Sequence, residues 1–258
     1  MSQPVTPGGV QLVVCEQHRL IYRPLQKCAS TTVIDFIGDL VGHDARRDGR
    51  DFLPFVAADV SPGHGGTYAV KVPAGAVAGF VERYAGYVWF SVVREPFARL
   101  KSNYFNKLNR YARRFEPMVY LLAYARQVLA GQALWRTGYE GDRAACMQAR
   151  ISFPRFVSGL QEHGIAWDCH FTPQADLLRT DVIPYQRLVR MEHLADGLRE
   201  VVADAGAAAA AAPALEALKR LNRSAAGTAD DADVWTPATR QTAADLYRRD
   251  FEALGYAA

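Results

Sequence analysis

Residues 87–108 read YVWFSVVREPFARLKSNYFNKL, and the order of residue types in that stretch decides the fold class. Tyr87 to Val93 is a continuous apolar run of the length of one strand, the pattern of a strand buried on both faces. Arg94-Glu95-Pro96 ends it, and Pro96 suits the first turn of a helix, where a missing N–H costs nothing. Phe97, Leu100, Tyr104 and Leu108 then recur at helical spacing. A doubly buried strand running straight into a helix is half of a parallel crossover unit.

The same alternation continues outward. Val10 to Cys15 and Leu20 to Leu25 are short β-rich runs. Val33, Ile34, Ile37, Leu40 and Val41 lie on one helical face, which predicts a helix over Thr32 to Val41. A long Asp-, Gly- and Pro-rich connection follows from Gly42 to Gly66, with a short helix near Phe52 to Val56. Thr67 to Val72 alternates as a strand, and Ala76 to Tyr84 fits a helix. Beyond residue 111 the pattern is mostly helical, until Arg187 to Met191 reads as a late strand followed by a helix over Ala195 to Ala203. The run Ala207 to Ala212, closed by Pro213, reads as a solvent-facing helix end or linker. Thr236-Pro237 is a natural cap and first-turn pair for a last helix reaching Leu254. The expected architecture is α/β: a central parallel sheet covered by helices on both faces. It is read as one domain over residues 1–258, with a helical insertion at about 111–167.

Composition sets the outer bounds. The chain has 258 residues, half of them hydrophobic, and a formal net charge of +3. That is ordinary globular composition, long enough for a large core, which excludes disorder and a disulfide-stapled miniprotein. Basic residues are scattered, so nucleic acid is not the expected partner. Cys15, Cys28, Cys146 and Cys169 form neither a CxxC pair nor a zinc-ligand spacing, so no metal site is expected. No signal peptide or membrane-spanning run is read, and the expected location is cytoplasmic.

Two segments carry chemistry. Lys27-Cys28-Ala29-Ser30-Thr31-Thr32 lies at a strand-to-helix turn, where free N–H groups, the helix dipole and hydroxyls favour a phosphate. It lacks the glycines of the GxxxxGK[ST] pattern, and its lysine precedes the hydroxyls. An ordinary Ser/Thr cap would read the same way. Arg94 stands at the end of the most buried strand, at the edge where open α/β sheets bind ligands, with Ser102 two helical turns further on. A guanidinium and a hydroxyl can hold one phosphate together, whereas a structural ion pair is the plainer reading of Arg94.

Taken together, these segments resemble the sulfotransferases that use 3′-phosphoadenosine-5′-phosphosulfate, most closely the carbohydrate branch. FSVVREPFARLKSNYFNKL is similar to that family's VRDPFERLVSAY-type element, with Glu95 in place of the more usual Asp. KCASTT is similar to the KxAST form of the uronyl 2-O-sulfotransferase group. HFTPQ at residues 170–174, YQRLVRMEHL after it and the terminal LYRRDFEALGY also resemble the branch, so the likeness runs from about Leu20 to Tyr256. The resemblance implies a P-loop NTPase-like three-layer sandwich. Lys27 with Ser30, Thr31 and Thr32 would grip the 5′-phosphosulfate, and Arg94 and Ser102 the 3′-phosphate.

The implied reaction moves a sulfuryl group to an acceptor hydroxyl, expected to be that of a carbohydrate, glycoconjugate or small molecule. Alignment and neutralisation of the leaving oxygen carry such a transfer, and Lys27 is the candidate for the second. An acceptor hydroxyl needs a base. His64, in the flexible stretch Pro62-Gly63-His64-Gly65-Gly66, is the leading candidate, because the 2-O-sulfotransferase group places its base histidine comparably. His170 is the rival. Arg223 in Asn222-Arg223-Ser224 would lie over the nucleotide, against a plainer reading as a helix end with a capping Asn. Alternatives are a nucleotide-dependent small-molecule kinase, or a non-catalytic module binding an anionic glycan through Lys27 and Arg94. The alanine-rich composition fits a bacterial protein.

Overall fold

The computed structural model describes residues 9–44, 47–56, 66–113, 152–166, 168–224 and 234–258, with side chains except at 106–113, 163 and 219–224. Its strands are β1 (Val10–Cys15), β2 (Leu20–Arg23), β3 (Phe55–Val56), β4 (Thr67–Val72), β5 (Val88–Val93) and β6 (Arg187–Arg190). Its helices are α1 (Ser30–Leu40), α2 (Val77–Arg83), α3 (Pro96–Arg113), α4 (Phe153–His163), α5 (Gln174–Leu178), α6 (Leu194–Asp204), α7 (Ala208–Ser224), α8 (Pro237–Leu246) and α9 (Arg248–Leu254). No helix among the described residues is long and apolar enough to cross a membrane. The chain divides into two compact units, residues 1–95 with 174–228 and residues 96–173 with 229–258.

The first unit is a mixed α/β layer structure. Its sheet has the order β3-β4-β1-β2-β5-β6. β2, β5 and β6 run parallel to one another, as do β3 and β4, while β1 is antiparallel to both of its neighbours, β2 and β4. The sheet is therefore not wholly parallel, as expected from the sequence, but parallel with one reversed strand. The cause is local: only Glu16 to Arg19 separate β1 from β2, enough for a hairpin but far too short for a crossover. The short helix expected near Phe52 to Val56 is instead β3, whose two residues extend the sheet beside Ala69 and Val70.

One sheet face buries Leu12, Val14, Ile21, Val70 and Trp89 against Val77, Phe80 and Tyr84 of the α2 region. On the other face Tyr22 stacks on Phe90 with ring centroids 5.0 Å apart. There α6 crosses β6 so closely that a Cβ at Gly197 would collide with the Val189 side chain, which requires glycine at that position. α7 packs on α6 and α1. The alanine run is thus no linker: Ala211 and Ala214 are buried and Pro213 lies inside the helix. Small side chains let the helix approach its neighbours, and burial offsets the one hydrogen bond that proline forfeits.

In the second unit α3, α4, α8 and α9 close on an aromatic core of Phe97, Tyr104, Phe153, Phe156, Phe171, Tyr247 and Phe251. Thr236 caps α8 as its sequence foretells, accepting the Thr239 N–H at 3.1 Å. The expected continuous last helix breaks at Tyr247 into α8 and α9. Of the expected insertion at 111–167, residues 114–151 lie outside the described residues, and α4 is its helical end.

Candidate active site

Because β2, β5 and β6 are parallel, with Arg23 opposite Ser91 and Val93 opposite Arg190, their carboxyl ends share one edge of the sheet. The segment leaving β2 there turns through Gln26 to Ala29 and enters α1 at Ser30. Lys27 and Ala29 both adopt left-handed backbone, with φ of 64° and 55°. For residues with a Cβ this costs about 1–2 kcal/mol each, a strain of the kind concentrated at binding turns. The left-handed Ala29 followed by right-handed Ser30 is the alternation that turns successive N–H groups into one anion-binding concavity. Val33 N–H makes the first intrahelical bond, to Ala29. The first-turn N–H groups of Ser30, Thr31 and Thr32 have no intrahelical acceptor. No side chain caps this helix start, so the ordinary Ser/Thr cap is not what these hydroxyls form.

Arg94 follows β5 at the same edge. Its guanidinium Nη1 donates to the Lys27 carbonyl at 3.3 Å, which brings the two sequence-predicted anion segments together. Among the described residues no carboxylate pairs with Arg94, so the structural ion pair does not account for it. Its peptide is held by Gln174: the Arg94 N–H donates to Oε1 at 2.9 Å, and Nε2 donates to the Arg94 carbonyl at 2.8 Å. The buried Cys28 thiol donates to the same Oε1 at 3.2 Å. Next to it, burial and the neighbouring Cys28 push the Tyr22 phenol well above its ordinary range. The adjoining Glu95 N–H is taken by Glu192 Oε1 at 2.9 Å.

The second unit holds a different arrangement. Asp168 Oδ1 accepts from the His170 N–H at 2.8 Å and lies 2.6 Å from His170 Nδ1. An ionised carboxylate only accepts, so in the neutral ring this contact places the proton on Nδ1 and leaves Nε2 as the acceptor. The dyad stands on a pinned loop. Arg99 donates to the Cys169 and Thr172 carbonyls at 3.2 and 3.0 Å, Asn103 Nδ2 to that of His170, and Tyr247 to that of Phe171 at 2.9 Å. Burial raises the Tyr247 phenol, so it remains a donor. Arg99 is itself 1% exposed.

Asp168, Cys169 and His170 also bring three potential metal-ligand atoms within 4.8 Å of one another. Two ligands at about 2.0 Å from one tetrahedral ion lie about 3.3 Å apart. The 2.6 Å between Oδ1 and Nδ1 is hydrogen-bond spacing, and the trio reads as a dyad beside a thiol.

Of the sequence-predicted residues, Lys27, Cys28, Ala29, Ser30, Thr31, Thr32 and Arg94 lie in the first unit, and Ser102 and His170 in the second. Ser102 is half-buried on α3. His64 lies outside the described residues, as does the side chain of Arg223, whose backbone belongs to α7. Cys15, Cys28 and Cys169 form no disulfide, and Cys146 lies outside the described residues. Sequence reasoning missed Gln174, Arg99 and Asp168. For Asp168 the signal was present, a carboxylate two residues before a histidine.

The family model described as the sulfotransferase family matches residues 10–257. No curated protein and no solved structure matches the chain.

Proposed function

The chain belongs to the sulfotransferase family, and on that premise we propose that it transfers a sulfuryl group from 3′-phosphoadenosine-5′-phosphosulfate to a hydroxyl of a carbohydrate, glycoconjugate or small molecule. The observation that carries this reading is the Arg94 to Lys27 carbonyl bond. A donor with phosphate at both its 3′ and 5′ ends needs two anion sites, and here two such segments adjoin at one sheet edge. The N–H groups and hydroxyls of Ser30, Thr31 and Thr32 hold the 5′ end, with Cys28 and Ala29 shaping the turn. The resemblance assigns Arg94 and Ser102 to the 3′-phosphate and Arg223 to the nucleotide.

In the transfer, the acceptor oxygen attacks sulfur, the bond from sulfur to the bridging phosphate oxygen breaks, and adenosine 3′,5′-bisphosphate leaves. Lys27 neutralises the charge arriving on that oxygen. The acceptor proton passes to a histidine. His170 is the base we favour, because Asp168 fixes Nδ1 as the protonated nitrogen and supports the imidazolium that forms at Nε2. His64 is its competitor. No metal has a role in this scheme.

Calorimetric titration with adenosine 3′,5′-bisphosphate, beside ATP with magnesium, tests the reading on wild type and Ser102→Ala. Binding of the bisphosphate, weakened by Ser102→Ala and accompanied by sulfuryl transfer in an acceptor screen, is expected. Preference for ATP, or no nucleotide binding by folded protein, would overturn the donor assignment.

A further inference from the structure

Gln174 touches both anion-binding segments of the first unit, yet the mechanism above gives it no part. It opens α5 and is fully buried. Its Oε1 accepts from the Arg94 N–H and from the Cys28 thiol, and its Nε2 donates to the Arg94 carbonyl. Arg94 in turn reaches the carbonyl of Lys27, the residue before Cys28. The contacts form a closed frame: Gln174 to the Arg94 backbone, the Arg94 side chain to Lys27, and Cys28 back to Gln174.

The chemistry of the frame demands an amide. One side chain must offer an acceptor to an N–H and a donor to the C=O of the same residue, which a primary amide does with its two terminal atoms. An ionised carboxylate would face the Arg94 carbonyl with a second acceptor. An apolar side chain would leave a half-buried peptide N–H and C=O without these partners. A phosphate-binding pair is sensitive to such a fixture because its hydrogen bonds weaken steeply with distance and angle.

We infer that Gln174 is a positioning residue that sets the separation of the Lys27 turn from Arg94, and with it the affinity for a donor that must engage both. The inference rests on the donor reading above. It assigns Gln174 an effect on donor binding that a core amide without this role would not have.

The test measures adenosine 3′,5′-bisphosphate affinity, donor and acceptor KM, and melting temperature for wild type, Gln174→Ala, Gln174→Glu and Cys28→Ala. Gln174→Ala is expected to weaken bisphosphate binding and raise donor KM by about tenfold or more, a change of about 1.4 kcal/mol, with acceptor KM unchanged. Cys28→Ala should give a smaller loss of the same kind. Gln174→Glu should bind weakly at neutral pH and approach wild type as pH falls, because a protonated carboxyl restores one donor beside one acceptor. A lower melting temperature with unchanged bisphosphate affinity and donor KM would overturn the inference. If Gln174→Ala does not fold, the glutamate variant decides, and a gap to wild type that stays constant with pH overturns it. Failure of wild type to bind the bisphosphate would overturn the donor reading and this inference together. Binding by wild type with no response to either Gln174 variant would overturn this inference alone.

Discussion

The turn at Lys27 and the loop at His170 are both short irregular segments, and they are held in opposite ways. The Lys27 turn is shaped by its own backbone, with left-handed residues at 27 and 29, and is tied to Arg94 and Gln174 by a few bonds that leave the first-turn N–H groups of α1 for a ligand. The His170 loop has each of four successive carbonyls, from Cys169 to Thr172, taken by a side chain from α3 or by Tyr247. The difference matches the two tasks proposed for these segments. An anion cradle keeps backbone donors unspent, whereas a base needs one ring nitrogen held in one place, so its surroundings are saturated. The contrast also explains where arginine is used: Arg94 is half-buried with no carboxylate partner among the described residues, while Arg99 is buried and committed to carbonyls.

The largest expected effect separates chemistry from donor binding. His170→Asn should lower turnover by about 10²–10⁴-fold, while bisphosphate affinity stays at the wild-type value. If His64→Asn shows that pattern and His170→Asn does not, the contrast between cradle and base fails at the His170 loop. Lys27→Ala comes next: kcat should fall by about 10²–10³-fold with a smaller change in bisphosphate affinity, since the ammonium acts on charge that develops during transfer. A loss confined to donor KM would make Lys27 a binding residue only.

Arg99→Met sharpens the comparison through stability. The buried Thr172 carbonyl and the half-buried Cys169 carbonyl lose their donor, a cost of about 1–3 kcal/mol, visible as a lower denaturation midpoint, and turnover of the folded fraction should fall with bisphosphate affinity retained. The smallest effect lies far from either segment. Arg187 hydrogen-bonds Asp204 and holds its carboxyl below the ordinary range. A depressed folded-state value means that the contribution is present above the unfolded carboxylate range and is lost as pH falls through the folded one. The Asp204 side chain is 34% exposed, so solvent screens the pair. Asp204→Asn should lower the melting temperature only slightly at neutral pH, with the difference vanishing in acid or high salt.

Much of the first unit was legible in its residues. The buried run before Arg94, the face of α1 and, in the second unit, the Thr236 cap are local signals of period and capping, and they mark β5, α1 and the start of α8 within a residue or two. The reversed β1 was legible too, in the four residues between two strands, but alternation with helices outweighed it. The Ala207 to Ala212 run was misread because composition carries no record of the helices it packs against. Phe55 and Val56 form a strand only because β4 lies beside them.

Read alone, the residues place strand ends near Leu25 and at Val93, put Lys27 and Arg94 just beyond them, and carry the resemblance to a sulfotransferase. Those properties follow from side-chain periodicity and helix-start chemistry, which act over a few residues. Tertiary structure alone decided that Gln174 takes both peptide groups of a residue 80 positions earlier. It likewise decided that Arg99 is buried under carbonyls some 70 residues away. A buried N–H or carbonyl must find a partner, but which distant side chain supplies it depends on where the folded chain brings that side chain, and no local pattern records this.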